Sequence, residues 1–351
     1  MTKRTLESTR HQVPDDPAAV WEYFYEKGWC DGLPVVPPTA ERVSAMLATL
    51  DRDSKEVVVK LSPSYNEVTL EKIAVNAVMA GCAPACLRVV VTAVEAIAEP
   101  RFRLLPMGTP PATPLIILNG PIRQELGINC GYSALGGITR SNATIGRALR
   151  LVILNLGLGG AHVIRDQATL GMPTRISFCL GENEEASPWE PLHVERGFRR
   201  EDSTVTLVNA VSPVNILDQE AKSAESLIIT LAGSMTIQGT NNMCRDPAEP
   251  FLLLGQEHAC LLASGGMSKQ DVRSRIWERA FIPLEAFSPE NQEFIRRSGR
   301  PVHEGRVHIV KEPEHLRIVV AGGLGPHSQF LSTIGHTPQQ SVTRLIPKGK
   351  G

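Results

Sequence analysis

The chain has 351 residues, 42% hydrophobic and 21% charged, with a formal net charge of −1. These are values of an ordinary globular chain with material for a large core, and the near-zero charge argues against DNA or an anionic membrane as main partner. Aromatic residues make up 5%, too few for the stacking platforms of single-stranded nucleic-acid binders.

The first sixteen residues, MTKRTLESTRHQVPDD, are polar and are expected not to act as a signal peptide. The longest apolar run, ALRLVILNLGLGG, is too short and glycine-rich to span a bilayer. Seven cysteines, an odd number with no C-x-x-C spacing, read as reduced thiols rather than zinc ligands or disulfides. A cytoplasmic protein is the expectation.

From the amino terminus, DPAAVWEYFYEKGW (16–29) has the pattern of a helix capped by Asp16 and ended by Gly28. CDGLPVVPPT (30–39) is a rigid turn, and AERVSAMLATL (40–50) a second helix. Strand-like runs follow at 56–61, 114–120, 175–181, 203–210, 250–256 and 315–323. Helical periods fall at 70–81, 84–99, 142–157, 219–233 and 268–280. This alternation implies α/β architecture.

The halves also echo each other. TPLIILNGP (113–121) has a counterpart in EPFLLLGQE (249–257), and TRISFCLGE (174–182) in LRIVVAGGL (316–324). Ser62-Pro63 likewise matches Ser212-Pro213, and Gly81 matches Gly233. The expectation is two similar α/β lobes from an internal duplication around a central cleft: a helical, proline-rich segment 1–50, a first lobe 51–185 and a second lobe 186–351.

In such folds reactive groups lie beyond the carboxyl ends of strands. There the sequence offers Asn119, the acidic loop with Glu182, Glu184, Glu185 and His193, then Glu257 beside His258, and the glycine-rich GGLGPHS with His327. His258 falls in the first turn of a helix, where the positive helix end favours a neutral, base-like imidazole. A carboxylate in the acidic loop suits a general base, or a solvated surface. Carboxylates with His193, His258 and His327 also suit a divalent metal, the only cofactor these loops suggest. Arg140 and Asn142, just before a helical period, suit an anion. Cys82 lies near the start of the helix that follows Pro84, where a helix dipole would lower its pKa. Cys86, one turn on, reads as core.

WCDGLPVVPPT (29–39), NAVMAGC (76–82), LGIN, SNATIGRALRL (141–151), ENEEASPWEPLHVERGF (182–198), GQEHA (255–259) and VVAGGLGPHS (319–328) together resemble a bacterial family. That family carries a W-x-D-G-L-P-x-x-P-P-T motif and is associated with, or fused to, small UGSC-type cysteine or selenocysteine proteins. The resemblance implies a cytosolic, enzyme-like protein acting on a small molecule, with a thiol- or selenol-bearing partner subunit and a homo- or hetero-oligomeric state. Asp31, Cys82, Asn142, Glu182, Glu184, His193, His258 and His327 fall inside the shared motifs. Cys86 and Pro326 depart from the pattern, Pro326 standing where a lysine is expected.

The expected function is lyase or hydratase chemistry on a small anionic substrate. Cys82, Glu257, His258 and His327 would be catalytic; Asp31, Asn119, Arg140, Asn142, Glu182 and Glu184 would bind substrate. The alternatives are a non-catalytic subunit of a thiol or selenol complex, and a thiol-dependent oxidoreductase.

Overall fold

A computed structural model describes residues 6–102, 111–158, 168–245, 248–335 and 340–349. Its first helix, α1 (Pro17–Glu26), starts where Pro17 pre-sets the backbone and the Asp16 carboxylate accepts from Ala19 N–H at 2.8 Å. Thr39 caps α2 (Ala40–Leu47), and a hairpin of β1 (Val57–Leu61) and β2 (Asn66–Thr69) leads into α3 (Leu70–Ala80). Gly81 ends α3 at φ +89°, a left-handed position suited to glycine. A short 3₁₀ turn, Pro84–Cys86, precedes α4 (Leu87–Ile97).

The main sheet begins with β3 (Thr113–Asn119), followed by the short α5 (Ile122–Glu125), α6 (Arg140–Val152), β4 (Cys179–Gly181), α7 (Leu192–Glu195) and β5 (Thr204–Leu217). The second half supplies α8 (Ala224–Met235), α9 (Asn241–Cys244), β6 (Phe251–Leu254), α10 (Gln256–Ser264) and α11 (Lys269–Arg279). A small hairpin of β7 (Phe281–Pro283) and β8 (Arg306–His308) flanks α12 (Pro289–Arg297). Then come β9 (Arg317–Val320), β10 (His327–Thr333) and β11 (Val342–Leu345).

The strand order is β4-β3-β5-β10-β6-β9, with β11 added to β5 beside β10. β3 and β4 are parallel, as are β6 and β9, and the other neighbours in the sheet are antiparallel. Read outward from the central β5–β10 pair, both sides therefore carry the same succession of strands.

Strand alternation divides the core into layers. Ile117, Leu180, Val208, Leu253, Val319 and Leu331, one from each of the six strands, meet in a single buried cluster. Their neighbours turn the other way. Ile116 and Leu207 pack against Ile73, Val90 and Leu149 of α3, α4 and α6, while Leu252, Ile318 and Phe330 pack against Leu227, Leu262 and Ile276 of α8, α10 and α11. Inward residues of the two edge strands sharing a cluster means that the sheet curls on itself. Asn183 N–H closes the curl on Val320 C=O at 2.8 Å, and Gly322 N–H reaches Cys130 C=O at 2.8 Å. The final segment returns to the first half, where Val342 and Ile346 join the core of α3 and α4.

Several expectations change. β5 continues through Ser212-Pro213 rather than turning, whereas Ser62-Pro63 sits between β1 and β2. Beyond Ala210, β5 is paired only with β10 among the described residues, the one-sided setting in which a strand accepts proline. Gly233 lies inside α8 and does not end it as Gly81 ends α3. α8 starts at Ala224 because the Ser223 hydroxyl caps it. β4 is three residues long, not seven. No described helix is long and apolar enough to cross a membrane.

Candidate functional site

A pocket of about 370 Å³ opens where β6 and β9 end and β10 begins. Its walls include Gly255, the Ala321–Gly325 turn, His327, Ser328 and Gln329, with Tyr132 to Gly136 contributed by the first half. Glycine at 323 is explained by close approach, since a Cβ there would lie 2.4 Å from the Tyr132 ring. Glycine at 255 has the same cause: a Cβ would meet the His327 carbonyl oxygen at 2.1 Å.

Behind this wall stands His258, in the first turn of α10 and 2% exposed. Its Nε2 faces the Asp218 carbonyl oxygen at 3.0 Å and its Nδ1 faces Ser328 Oγ at 2.7 Å. Gly255 N–H donates to the same hydroxyl oxygen at 3.1 Å. His327, exposed on the pocket's rim, places Nδ1 3.2 Å from Asn215 Oδ1. The Asp218 carboxylate accepts from Ala221 N–H, Glu220 N–H and the Thr230 hydroxyl. The Thr230 hydrogen bond holds its pKa below the usual range.

A second polar cluster lies beyond β3 and β4. Asn119 Nδ2 donates to Glu182 Oε2 at 2.6 Å and to Glu184 Oε1 at 3.0 Å, and Gly120 N–H donates to Glu184 at 2.7 Å. His193 Nδ1 lies 4.0 Å from Glu184. Arg123 bridges Glu184 and Glu185 and donates to the Glu182 carbonyl. Lys269 and Arg273 come in from α11: Lys269 donates to Glu190 C=O at 2.6 Å and lies 3.9 Å from Glu182, and Arg273 pairs with Glu195. Burial pushes the Glu182 carboxyl up and the His193 imidazole down. Asn119 Oδ1, Glu182 Oε1 and His193 Nδ1 are buried without a hydrogen-bond partner among the described residues. The clusters meet at Asn183, whose side chain donates to Gly322 C=O at 3.1 Å.

The structure thus joins Asn119, Glu182, Glu184 and His193 in one group, and sets His258 and His327 around the pocket. The other expected residues lie elsewhere. Glu257 is exposed while His258 is buried, because consecutive helical residues point apart; no hydrogen bond or ion pair joins them among the described residues. Asp31 forms a bidentate pair with Arg147 that fastens residues 31–34 to α6. Asn142 spends its side chain on the backbones of Asn129 and Cys179 and on Thr139. Arg140 donates to Gly81 C=O at the end of α3.

Cys82 reverses the expected chemistry. It is 5% exposed, its Sγ lies 3.3 Å from Thr144 C=O, and burial pushes its pKa up to about 12. The 3₁₀ turn separates it from the first residue of α4, so desolvation outweighs any helix-end field. Cys86 is core, as expected, at 1% exposure. Among the described residues no group of three or more His, Cys, Asp or Glu is arranged to hold a metal ion, so His193, His258 and His327 form no shared coordination site.

Sequence reasoning missed Ser328, Asp218, Arg123 and Lys269. Ser328 follows His327 directly but reads as part of a glycine turn, and Asp218 acts partly through its backbone carbonyl, which leaves no trace in sequence. Compared with known proteins, the chain matches no family model and no curated protein.

Proposed function

We propose that the chain is an enzyme acting on a small, anionic molecule in the pocket beside Ser328, by acid–base chemistry of the lyase or hydratase type. The observation that carries this reading is the orientation of His258 behind the pocket wall, which presents Nδ1 to the Ser328 hydroxyl while Nε2 is held by a backbone carbonyl. A base held this way can take up a proton without reorienting. His327 on the rim is the acid that meets the departing hydroxyl. Gly323, Leu324 and Gly325 of the glycine turn line the pocket and supply backbone N–H groups suited to an anion, whereas Gly322 N–H is taken by Cys130 C=O and Gly255 N–H by Ser328. The acidic cluster fixes the Asn183 loop against Gly322.

The palindromic strand order supports an internal duplication, with the pocket as the cleft between two lobes. The matched segments at 113–121 and 249–257 become β3 and β6, each followed by a helix. Burial of Cys82 removes the main support for thiol-dependent oxidoreduction. One observation favours a second reading. Tyr132 and Leu324 are 66% and 59% exposed at the pocket's mouth, a surface that a small thiol or selenol protein could cover. Copurification of such a protein with the tagged chain would support it.

The test of the main reading is turnover of a panel of small hydroxycarboxylates, followed by the absorbance of the unsaturated product. Wild type should convert at least one, and His258→Gln should lose about 10²–10⁴-fold in rate. Unchanged turnover in His258→Gln would remove the base.

A further inference from the structure

Successive residues of β10 point to opposite faces of the sheet. Phe330 turns to the layer of α8, α10 and α11, and Ser328 shares that face, buried against His258. His327, Gln329 and Leu331 turn the other way, and Leu331 reaches the layer enclosed by the curled sheet. Gln329 stands opposite Asn215 of β5 and Leu253 of β6, and directly opposed residues share a face. Gln329, Asn215, Leu253 and His327 all line the pocket, which is therefore the mouth of the curled sheet.

Three polar side chains thus face the cavity from β5 and β10, and two of them are engaged with each other. His327 Nδ1 lies 3.2 Å from Asn215 Oδ1. Gln329 differs: its Oε1 is buried and has no hydrogen-bond partner among the described residues. Beside it the wall is apolar, with Ala134, Leu135, Leu253 and Ala321. A carbonyl oxygen left unpaired in such surroundings destabilises the fold, and a leucine would avoid that cost. The terminal torsion of a glutamine turns over a broad range, so the carbonyl can swing toward a donor in the cavity.

We propose that Gln329 is the specificity-determining residue of the pocket, its Oε1 accepting the hydroxyl proton of a small hydroxycarboxylate. This selection rests on the functional reading above, which supplies the anionic substrate. The carboxylate lies against the backbone N–H groups of Gly323, Leu324 and Gly325. Gln329 and His327 are two residues apart on one strand face, about 7 Å, and both side chains are long enough to converge on one oxygen. A hydroxyl suits that place because it donates to Gln329 while its oxygen still accepts from His327. A deoxy analogue leaves Oε1 unpaired and binds about 10–100-fold more weakly.

The test is isothermal titration calorimetry on the full chain with four pairs of acids. Glycolate, lactate, malate and citrate are each set against the deoxy partner: acetate, propionate, succinate and tricarballylate. Wild type should bind at least one hydroxy acid about 10–100-fold more tightly than its partner. In Gln329→Leu that ratio should fall to near one, with the deoxy acid held as well as before. Gln329→Met, closer in length, gives the same comparison should Gln329→Leu fail to fold. A wild type that binds none of the pairs, or binds both members alike, overturns the proposal, as does a ratio unchanged in the variants. A Gln329-dependent ratio without turnover would keep the selecting residue and sink the lyase reading; hydroxycarboxylate turnover with an unchanged ratio would do the reverse.

Discussion

The backbone N–H of Asn183 lies 2.8 Å from the carbonyl oxygen of Val320, tying the loop after β4 to the last residue of β9. Through it a buried acidic cluster in the first half sets the position of the glycine turn that walls the pocket in the second. Asn183→Ala keeps the backbone bond but removes the side-chain bond to Gly322 C=O. The expected loss is about 1 kcal/mol in urea unfolding, with a several-fold fall in any His258-dependent turnover. Full turnover in a variant destabilised by that amount would show that the loop does not govern the pocket.

Cys82 should behave as a core residue. With its pKa pushed up to about 12, the thiol stays protonated throughout the neutral range, and the thiolate is the nucleophilic form. Native protein treated with iodoacetamide should leave Cys82 unmodified from about pH 6 to pH 9, reacting only once unfolded. The exposed Cys260 should react first. Rapid native alkylation of Cys82 near neutrality would restore the thiol chemistry that its burial argues against.

Glu182 offers a sharper contrast. Its Oε2 accepts from Asn119 Nδ2 and from Leu192 N–H, while Oε1 has no hydrogen-bond partner among the described residues and faces Lys269 from 3.9 Å. Glu182→Gln keeps an acceptor for both bonds and sets its amide NH2 where Oε1 faces Lys269. Its stability should stay within about 1 kcal/mol of wild type. Glu182→Ala strands two buried donors and should cost about 2–4 kcal/mol. Equal losses in the two variants would mean that the charge itself is needed.

Much of this arrangement was legible before any coordinates. The apolar runs at 113–121 and 249–257 become β3 and β6, and the placement of His258 in a helix's first turn holds because Gly255 ends one periodicity and begins another. β10 was not legible, although it sits at the centre of the sheet. Its residues, HSQFLST, hold two apolar side chains amid polar ones, and Phe330 and Leu331 face opposite layers. Missing β10 meant missing Ser328. The contacts of Asn142 and Asp31 were not legible for a related reason: a polar residue in a specific motif signals a constrained contact, and sequence does not tell a ligand from the protein's own backbone.

Acid should destabilise the fold in a defined window. Burial lowers the pKa of both His193 and His308 below the ordinary value. The unfolded chain therefore takes up these protons first as pH falls through about 6.5. The histidine contribution should be flat above about pH 7, then fall as pH drops below about 6.5, until the folded imidazoles protonate as well. Glu182, raised by burial, pulls the other way, because its neutral form is favoured in the fold and that advantage fades as pH rises through its folded pKa. Urea midpoints measured across this range should lose part of the acid slope in His193→Gln. An unchanged slope in that variant would assign the acid sensitivity to other groups.

The most direct measurement of the central claim is hydrogen exchange at carbon. Small hydroxycarboxylates are incubated with the chain in D₂O, and loss of the C–H signal next to the carboxylate is followed by proton NMR. If His258 is a base serving the pocket, wild type exchanges at least one of these hydrogens, His258→Gln does not, and a folded Cys82→Ala variant exchanges as wild type does. If His258→Gln exchanges as fast as wild type, or wild type exchanges none of them, the pocket beside Ser328 is not where this protein moves a proton.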